Sequence, residues 1–239
     1  YAALLFTASL YGFIISGTFI LPDTPQVFFW LISLFLMLRA NRNFDDPLCK
    51  CLFVAGLSVG LAMLSKYTSV FLWAGYAVYV LFFDRRWLRK PALYLGPLIS
   101  LGIFLPVLLW NIKYEFISFT FHSGRVGFFS EGIQFNYFLQ EFFGQVLYNN
   151  PVNYIIIIMA VAAWFKGRKY IDRNAANLLL LTSLPLIGLF LFFSLFRPTL
   201  PHWTGPAYLG LILMAGAWLR SLQPETNKIK LFPNSLRYA

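Results

Sequence analysis

An all-α, polytopic membrane protein is what this sequence predicts, on three observations. Residues 1–22, 91–112, 174–196 and 198–219 each run about twenty residues without one Asp, Glu, Lys or Arg. A helix rising ~1.5 Å per residue crosses the ~30 Å hydrocarbon layer in that length. The composition, 59% hydrophobic and 20% aromatic with only 12% charged, is too apolar for a soluble domain. Finally, the net charge of +10 is unevenly spread. The segments between apolar stretches alternate between strongly basic and neutral.

About eight membrane-spanning helices are expected, at 2–21, 25–38, 51–65, 67–83, 92–110, 151–165, 176–196 and 206–219. The first opens at Tyr1 without a charged leader or small-residue cleavage site. It reads as a span and not a signal peptide, and the chain as the inner or C-terminal part of a longer one. Asp23 follows in Leu-Pro-Asp-Thr-Pro. An Asp with Pro25 in the first turn is a common helix start, and the same acid at a membrane surface can also face a polar cavity. The third and fourth spans are short, with only Lys66 between them. A helical hairpin is preferred over one long broken helix, because two crossings put Arg39–Lys50 and Arg85–Lys90 on the same face. Cys49 and Cys51, with no histidine nearby, lack the ligands of a closed zinc site and read as small residues at a helix start.

After the span at 92–110, the segment from Asn111 to Asn150 forms an aromatic outer juxtamembrane stretch. Phe135, Phe138, Phe142 and Val146 fall on one helical stripe, which suits a helix at the interface or leading into the next span. Gly124 and Gly127 mark a bend before it, and Pro151 starts or kinks the following span. Residues 1–220 thus form one transmembrane domain, and 221–239, with Pro224 and Pro233, a short cytoplasmic tail.

The basic residues settle the expected sidedness. Arg39, Arg42 and Lys50, then Arg85, Arg86, Arg89 and Lys90, then Lys166, Arg168, Lys169 and Arg173, and finally Arg220, Lys228, Lys230 and Arg237 share one face, which the positive-inside rule makes cytoplasmic. On the other face Lys66, Lys113, Arg125 and Arg197 balance Asp23, Glu115, Glu131 and Glu141. The basic excess is a topology signal and not a nucleic-acid footprint.

The unusual polar groups gather on the outer face. Lys66, between Leu-Ser and Tyr-Thr-Ser, has two readings: a snorkelling lysine, or the partner of a phosphate. Arg197-Pro-Thr-Leu-Pro-His202-Trp203 packs an arginine, an imidazole and an indole into a turn shaped by two prolines, which suits an anion or a sugar. Trp203 alone would be an interfacial anchor. His122 and Arg125 lie three apart in the aromatic segment and are candidates for the same site. HExxH, GxSxG, Walker and paired metal-ligand spacings are all absent. No predicted span carries an acid or base near its middle, which weighs against an ion-coupled transporter. A transporter or flippase of lipid-linked or small solutes stays the second reading, and a structural membrane subunit the third.

Five segments together carry a resemblance. They are Leu-Pro-Asp23-Thr-Pro-Gln; Gly60-Leu-Ala-Met-Leu-Ser-Lys66-Tyr67-Thr; Pro106-Val-Leu-Leu-Trp110-Asn111 followed by Ser118-Phe-Thr-Phe121; Gly144-Gln145 before Asn150-Pro151; and Pro201-His202-Trp203-Thr-Gly-Pro206. In this order, over nearly the whole chain, they resemble the polyprenyl-phosphate-sugar-dependent glycosyltransferases of the GT-C fold. The branch is the family 39-like one, related to dolichyl-phosphate-mannose-protein mannosyltransferases and lipid A aminoarabinose transferases. Two departures stand out. Tyr114 and Phe116 occupy places where the family often has His and Trp. The family's catalytic carboxylate lies in a first outer loop upstream of everything here, so the fragment alone is expected to be inactive.

The resemblance implies a partial GT-C domain in an inner plasma membrane, working on its periplasmic or extracellular face. A sugar would leave a polyprenyl phosphate for a hydroxyl of a lipid or protein acceptor, with inversion. Asp23 matches the family's second outer acid, which orients the acceptor or holds a divalent cation (Mg or Mn). No cofactor is required by the sequence itself. Lys66, with Tyr67 beside it, is the first choice for the phosphate and Arg197 the next. His202 and Trp203 would line the sugar or acceptor site, and the aromatic segment would cover the cleft and guide the lipid tail.

Overall fold

The computed structural model describes residues 1–19, 21–46, 50–117 and 132–223, and every regular element among them is helical. Helix α1 (Ala2–Thr7) is followed by one π-helical turn (Tyr11–Ile15), then α2 (Asp23–Arg42) and α3 (Lys50–Ser65). A 3₁₀ turn (Tyr67–Val70) leads into α4 (Phe71–Phe82), and a second (Arg85–Arg89) precedes α5 (Ala92–Lys113). Next come α6 (Phe135–Tyr148), α7 (Pro151–Phe165) and α8 (Arg173–Phe193). A last 3₁₀ turn (Pro201–Thr204) opens α9 (Gly205–Ser221).

The all-α class holds, but the count of eight spans does not. Among the described residues two helices, α5 and α8, are long and apolar enough to cross a membrane; α6 and α7 pass together as a pair bent by 95°, which makes three. The reasons are local. The first expected span breaks after α1, where the Ser9 hydroxyl donates to the Phe6 carbonyl (2.6 Å) and accepts from the Gly12 amide (2.9 Å). Such side-chain bonds compete with the helical ladder, and the chain resumes as a π turn. Helix α2 carries Asp23 in its first turn and Arg39 and Arg42 in its last. Helices α3, α4, α7 and α9, at 16, 12, 15 and 17 residues, fall short of the ~20 needed.

Close approaches of small residues set the packing. A Cβ on Gly56 would lie 2.5 Å from the Gly96 carbonyl oxygen, and one on Gly75 2.5 Å from that of Leu181. Backbones in contact like this are the membrane-protein solution to helix association, where apolar burial against lipid gains little. Helix α3 packs between α2 and α5, whereas α4 packs on α8. The two short helices around Lys66 are therefore not a side-by-side hairpin: each has its own partners. Helix α2 runs against α3, where the Ser58 hydroxyl donates to the Phe29 carbonyl, and reaches the following 3₁₀ turn through Gln26 and Ser69. The segments at 39–46 and 84–90 meet at one end, where Arg86 and Lys90 stand 4.6 and 4.8 Å from the Phe44 ring centroid. Asp84 there accepts from Arg86, and that bond holds its carboxyl below the ordinary range.

The aromatic stripe on α6 forms as expected, with Phe135–Phe138 and Phe138–Phe142 stacked at 5.6 and 6.3 Å. Its helix is inside out by soluble standards. Glu141 and Gln145 are buried while Phe135, Phe143 and Leu147 are exposed. A lipid-facing helix turns its polar side to the bundle. Asn150, at φ 68°, makes the 95° corner and caps α7 by accepting from the Val152 amide at 3.0 Å. The bend expected at Gly124 and Gly127, like Cys49 and residues 224–239 of the tail, lies outside the described residues.

Candidate functional site

Asp23 begins α2 at the end of the bundle opposite Phe44 and is 3% exposed. Its carboxylate does not cap the helix: the N-cap position is Pro22, with no side-chain bond. Instead the Lys66 ammonium donates to Oδ1 at 3.0 Å and Oδ2 at 3.1 Å, and the Tyr11 hydroxyl donates to Oδ1 at 3.3 Å. A negative group in the first turn also suits the positive end of the helix dipole.

Local chemistry places Lys66. The Ser69 hydroxyl donates to the Ala62 carbonyl (3.0 Å), ending α3, and Lys66 follows in extended conformation before the 3₁₀ turn. The turn is pinned from α2, where Gln26 Nε2 donates to Thr68 Oγ1 and Ser69 Oγ at 2.9 and 3.0 Å. Lys66 therefore aims at Asp23 and does not snorkel away from the protein. Burial pulls its ammonium below the ordinary lysine value, and Asp23 opposes that pull. About a fifth of the side chain stays open (21%), while that of Asp23 is closed (4%).

His202 lies half-buried on the Pro201–Thr204 turn, near enough to the pair for the charges of Lys66 and Asp23 to act on it. Burial, and then the Lys66 charge, push its imidazole below the ordinary value of 6.5, against an opposing effect of Asp23. Its ring lies 6.0 Å from Tyr148 and 6.5 Å from Trp203, and the indole packs edge-on to Phe190 at 5.7 Å. Tyr67 sits edge-on to Phe104 at 5.3 Å. Arg197 leaves α8 half-buried, five residues before His202, and is not among the partners of Asp23. His122 and Arg125 lie outside the described residues.

The structure thus joins Asp23 to Lys66, places His202 within reach of their charges, and adds residues to which the sequence attached no role. Tyr11 enters from the π turn, and nothing in an apolar stretch marks it beforehand. Gln26 and Thr68 lie inside the quoted motifs without a role attached. Glu141 had a visible signal: it is the lone charged residue from 132 to 165. A divalent cation beside Asp23 is not well served by these residues. Both carboxylate oxygens already accept from Lys66, whose positive charge repels a metal, and no group of three His, Cys, Asp or Glu side chains fit for a metal occurs among the described residues.

With this geometry in view, the comparisons with known proteins are consistent. Residues 1–110 match the family model of dolichyl-phosphate-mannose-protein mannosyltransferase. The chain is also similar to the lipid A galacturonosyltransferase RgtD of Rhizobium johnstonii (strain DSM 114642 / LMG 32736 / 3841), 25% identical over 230 residues. That alignment covers 95% of this chain and 47% of the relative, so the chain spans about half the length of the protein it matches. No solved structure matches. The family model and the relative support the resemblance to the GT-C glycosyltransferases. The long apolar helices suit a membrane protein.

Proposed function

We propose that this chain is part of an integral-membrane glycosyltransferase that moves a sugar from a polyprenyl-phosphate donor to a hydroxyl of a lipid or protein acceptor, with inversion. The observation that carries the reading is the Asp23–Lys66 pair, part-open and with His202 within reach of its charges, at one end of an apolar bundle. The basic segments 39–46 and 84–90 meet at the other end, and the positive-inside rule then favours a periplasmic or extracellular position for the pair, in a plasma membrane.

In the reaction the acceptor oxygen bonds to the anomeric carbon, the bond from that carbon to the phosphate oxygen breaks, and the acceptor proton passes to a carboxylate base. By the resemblance that base belongs to the first outer loop, outside these residues. The departing phosphate gains charge, and a fixed cation in a partly water-excluded site stabilises it strongly. Lys66 supplies the cation. Asp23 keeps it protonated against the effect of burial and fixes its direction, and the ammonium retains a third hydrogen for the phosphate. His202 and Trp203 line the sugar or acceptor side, with Tyr67 and Arg197 as the remaining candidates for donor contacts. The acid that the family uses to orient an acceptor is here turned towards the lysine.

The test uses the full-length protein in membranes. The donor is polyprenyl-phosphate galacturonic acid or polyprenyl-phosphate mannose, and the acceptor is lipid A or a serine-rich peptide. Lys66→Ala and Asp23→Asn are expected to lower transfer near neutral pH by about 10²–10³-fold, the usual cost of losing one such stabilising group, with membrane insertion unchanged. Full transfer by both variants would overturn the site. Substrate flux in sealed vesicles without a new glycosidic bond would favour a transporter.

A further inference from the structure

Glu141 has no place in the proposed chemistry, yet it is fully buried in α6 (0% exposed). Holding a carboxylate there is costly unless every lone pair direction is used. Oε1 accepts from Gln145 Nε2 at 2.8 Å and Oε2 accepts from Thr199 Oγ1 at 2.6 Å. The Gln145 side-chain oxygen Oε1 in turn accepts from the Tyr208 hydroxyl at 2.7 Å. Donation runs from Tyr208 of α9 through Gln145, and from Thr199 in the loop after α8, and both arms end on the Glu141 carboxylate, a pure acceptor. A glutamine at 141 would present an NH₂ to one of two donors, forcing either Gln145 or Thr199 to turn.

The same face of α6 grips the loop at successive turns. Glu141 holds Thr199, Gly144 leaves a notch that the Pro201 ring fills, and Tyr148 meets the His202 ring at 6.0 Å. A Cβ on Gly144 would overlap Pro201. The contacts descend both chains in step, so α6 braces the turn that carries His202 at three successive points.

We propose that Glu141 is a positioning residue: by fixing Thr199 it holds the Pro201–Thr204 turn so that the His202 imidazole stays within reach of Lys66 and Asp23. This rests on the reading above, in which His202 lines the reaction site.

A mutant cycle in the full-length protein tests it, using the same membrane transfer assay with polyprenyl-phosphate galacturonic acid or mannose as donor. Glu141→Gln is expected to lower kcat about 10- to 100-fold, the scale of a misplaced site group, with KM for the donor little changed. In a His202→Ala background the same substitution should cost less than about twofold, because the group it positions is already gone. Thr199→Val keeps the carboxylate and removes only the link, so it should behave like Glu141→Gln even if that variant folds poorly. Equal fold-losses with and without His202 would overturn the inference, as would full activity of both single variants. Failure of this cycle alone, with Lys66→Ala still inactive, leaves the function standing; a fully active Lys66→Ala sinks the site reading itself.

Discussion

The ring of Tyr11 lies directly against the α-carbon of Gly205, leaving no room for a Cβ there. The same phenol donates to Asp23 Oδ1 at 3.3 Å, and Tyr11 is 2% exposed. The first residue of α9 therefore governs a side chain that reaches the ion pair from the π turn. Gly205→Ala must push the ring out of a closed space. The expected cost is ~1–3 kcal/mol, the range for overpacking a filled site, together with reduced transfer by the full-length protein. Tyr11→Phe keeps the ring in place and loses only the hydroxyl bond. It should be folded like the native protein while showing part of the transfer defect. Melting curves in detergent beside transfer rates check both; an unshifted Tm for Gly205→Ala would show that the ring yields freely.

His202 gives a pH dependence with a definite sign. Its folded-state pKa lies below the ordinary 6.5 because of burial and the Lys66 charge. As pH falls through 6.5 the unfolded imidazole takes up a proton before the folded one does. The contribution is therefore fully present above 6.5 and is lost as pH drops towards the lowered folded value. The Tm of the native protein should fall more steeply between pH 7 and 5 than that of His202→Gln. Lys66→Ala, which removes one of the two lowering effects, should show an intermediate slope. Identical slopes for all three would mean that His202 is not coupled to the pair.

Much of this was legible in the residues, and the misses have physical causes. Asp23, Lys66 and His202 stand out because a polar group at the end of an apolar bundle needs a partner, and the structure joins the first two and places His202 within reach of their charges. That Asp23 and Lys66 would be each other's partner was not legible, since it depends on α2 and α3 packing side by side and so joining residues 43 apart in sequence. The count of eight spans failed for a related reason: apolar runs show where a chain avoids water, not where Ser9 breaks the ladder or how short α3 and α4 become. Glu141 was overlooked because an aromatic stripe implies that its opposite face is wet, and in α6 that face is inside.

Helix packing offers a contrast free of the site. A Cβ on Gly56 would stand 2.5 Å from the Gly96 oxygen and 3.0 Å from its α-carbon, both backbone atoms with nowhere to go. Gly56→Ala should separate α3 from α5 and cost ~1–3 kcal/mol. Gly102, also within α5, would meet nothing within 4 Å. There alanine only removes the entropy penalty of glycine in a helix, a gain of roughly 0.5–1 kcal/mol. Thermal melts should move in opposite directions for the two variants. A destabilised Gly102→Ala would mean that a neighbour covers that face of α5.

The Asp23–Lys66 pair makes its own prediction, separable from simple loss of activity. Burial lowers the Lys66 pKa from the ordinary 10.5 and Asp23 raises it again. In Asp23→Asn the opposing effect is gone while burial remains, so the amine loses its proton at a lower pH than in the native protein. As the pH is raised, transfer by the full-length Asp23→Asn protein should fall away at a lower pH than native transfer does, and recover when the pH is lowered again. Lys66→Ala has no amine to recharge and should show no recovery over the same range. A flat profile for Asp23→Asn would show that the carboxylate does something other than keep the ammonium charged, and would return Asp23 to the role of contacting the acceptor.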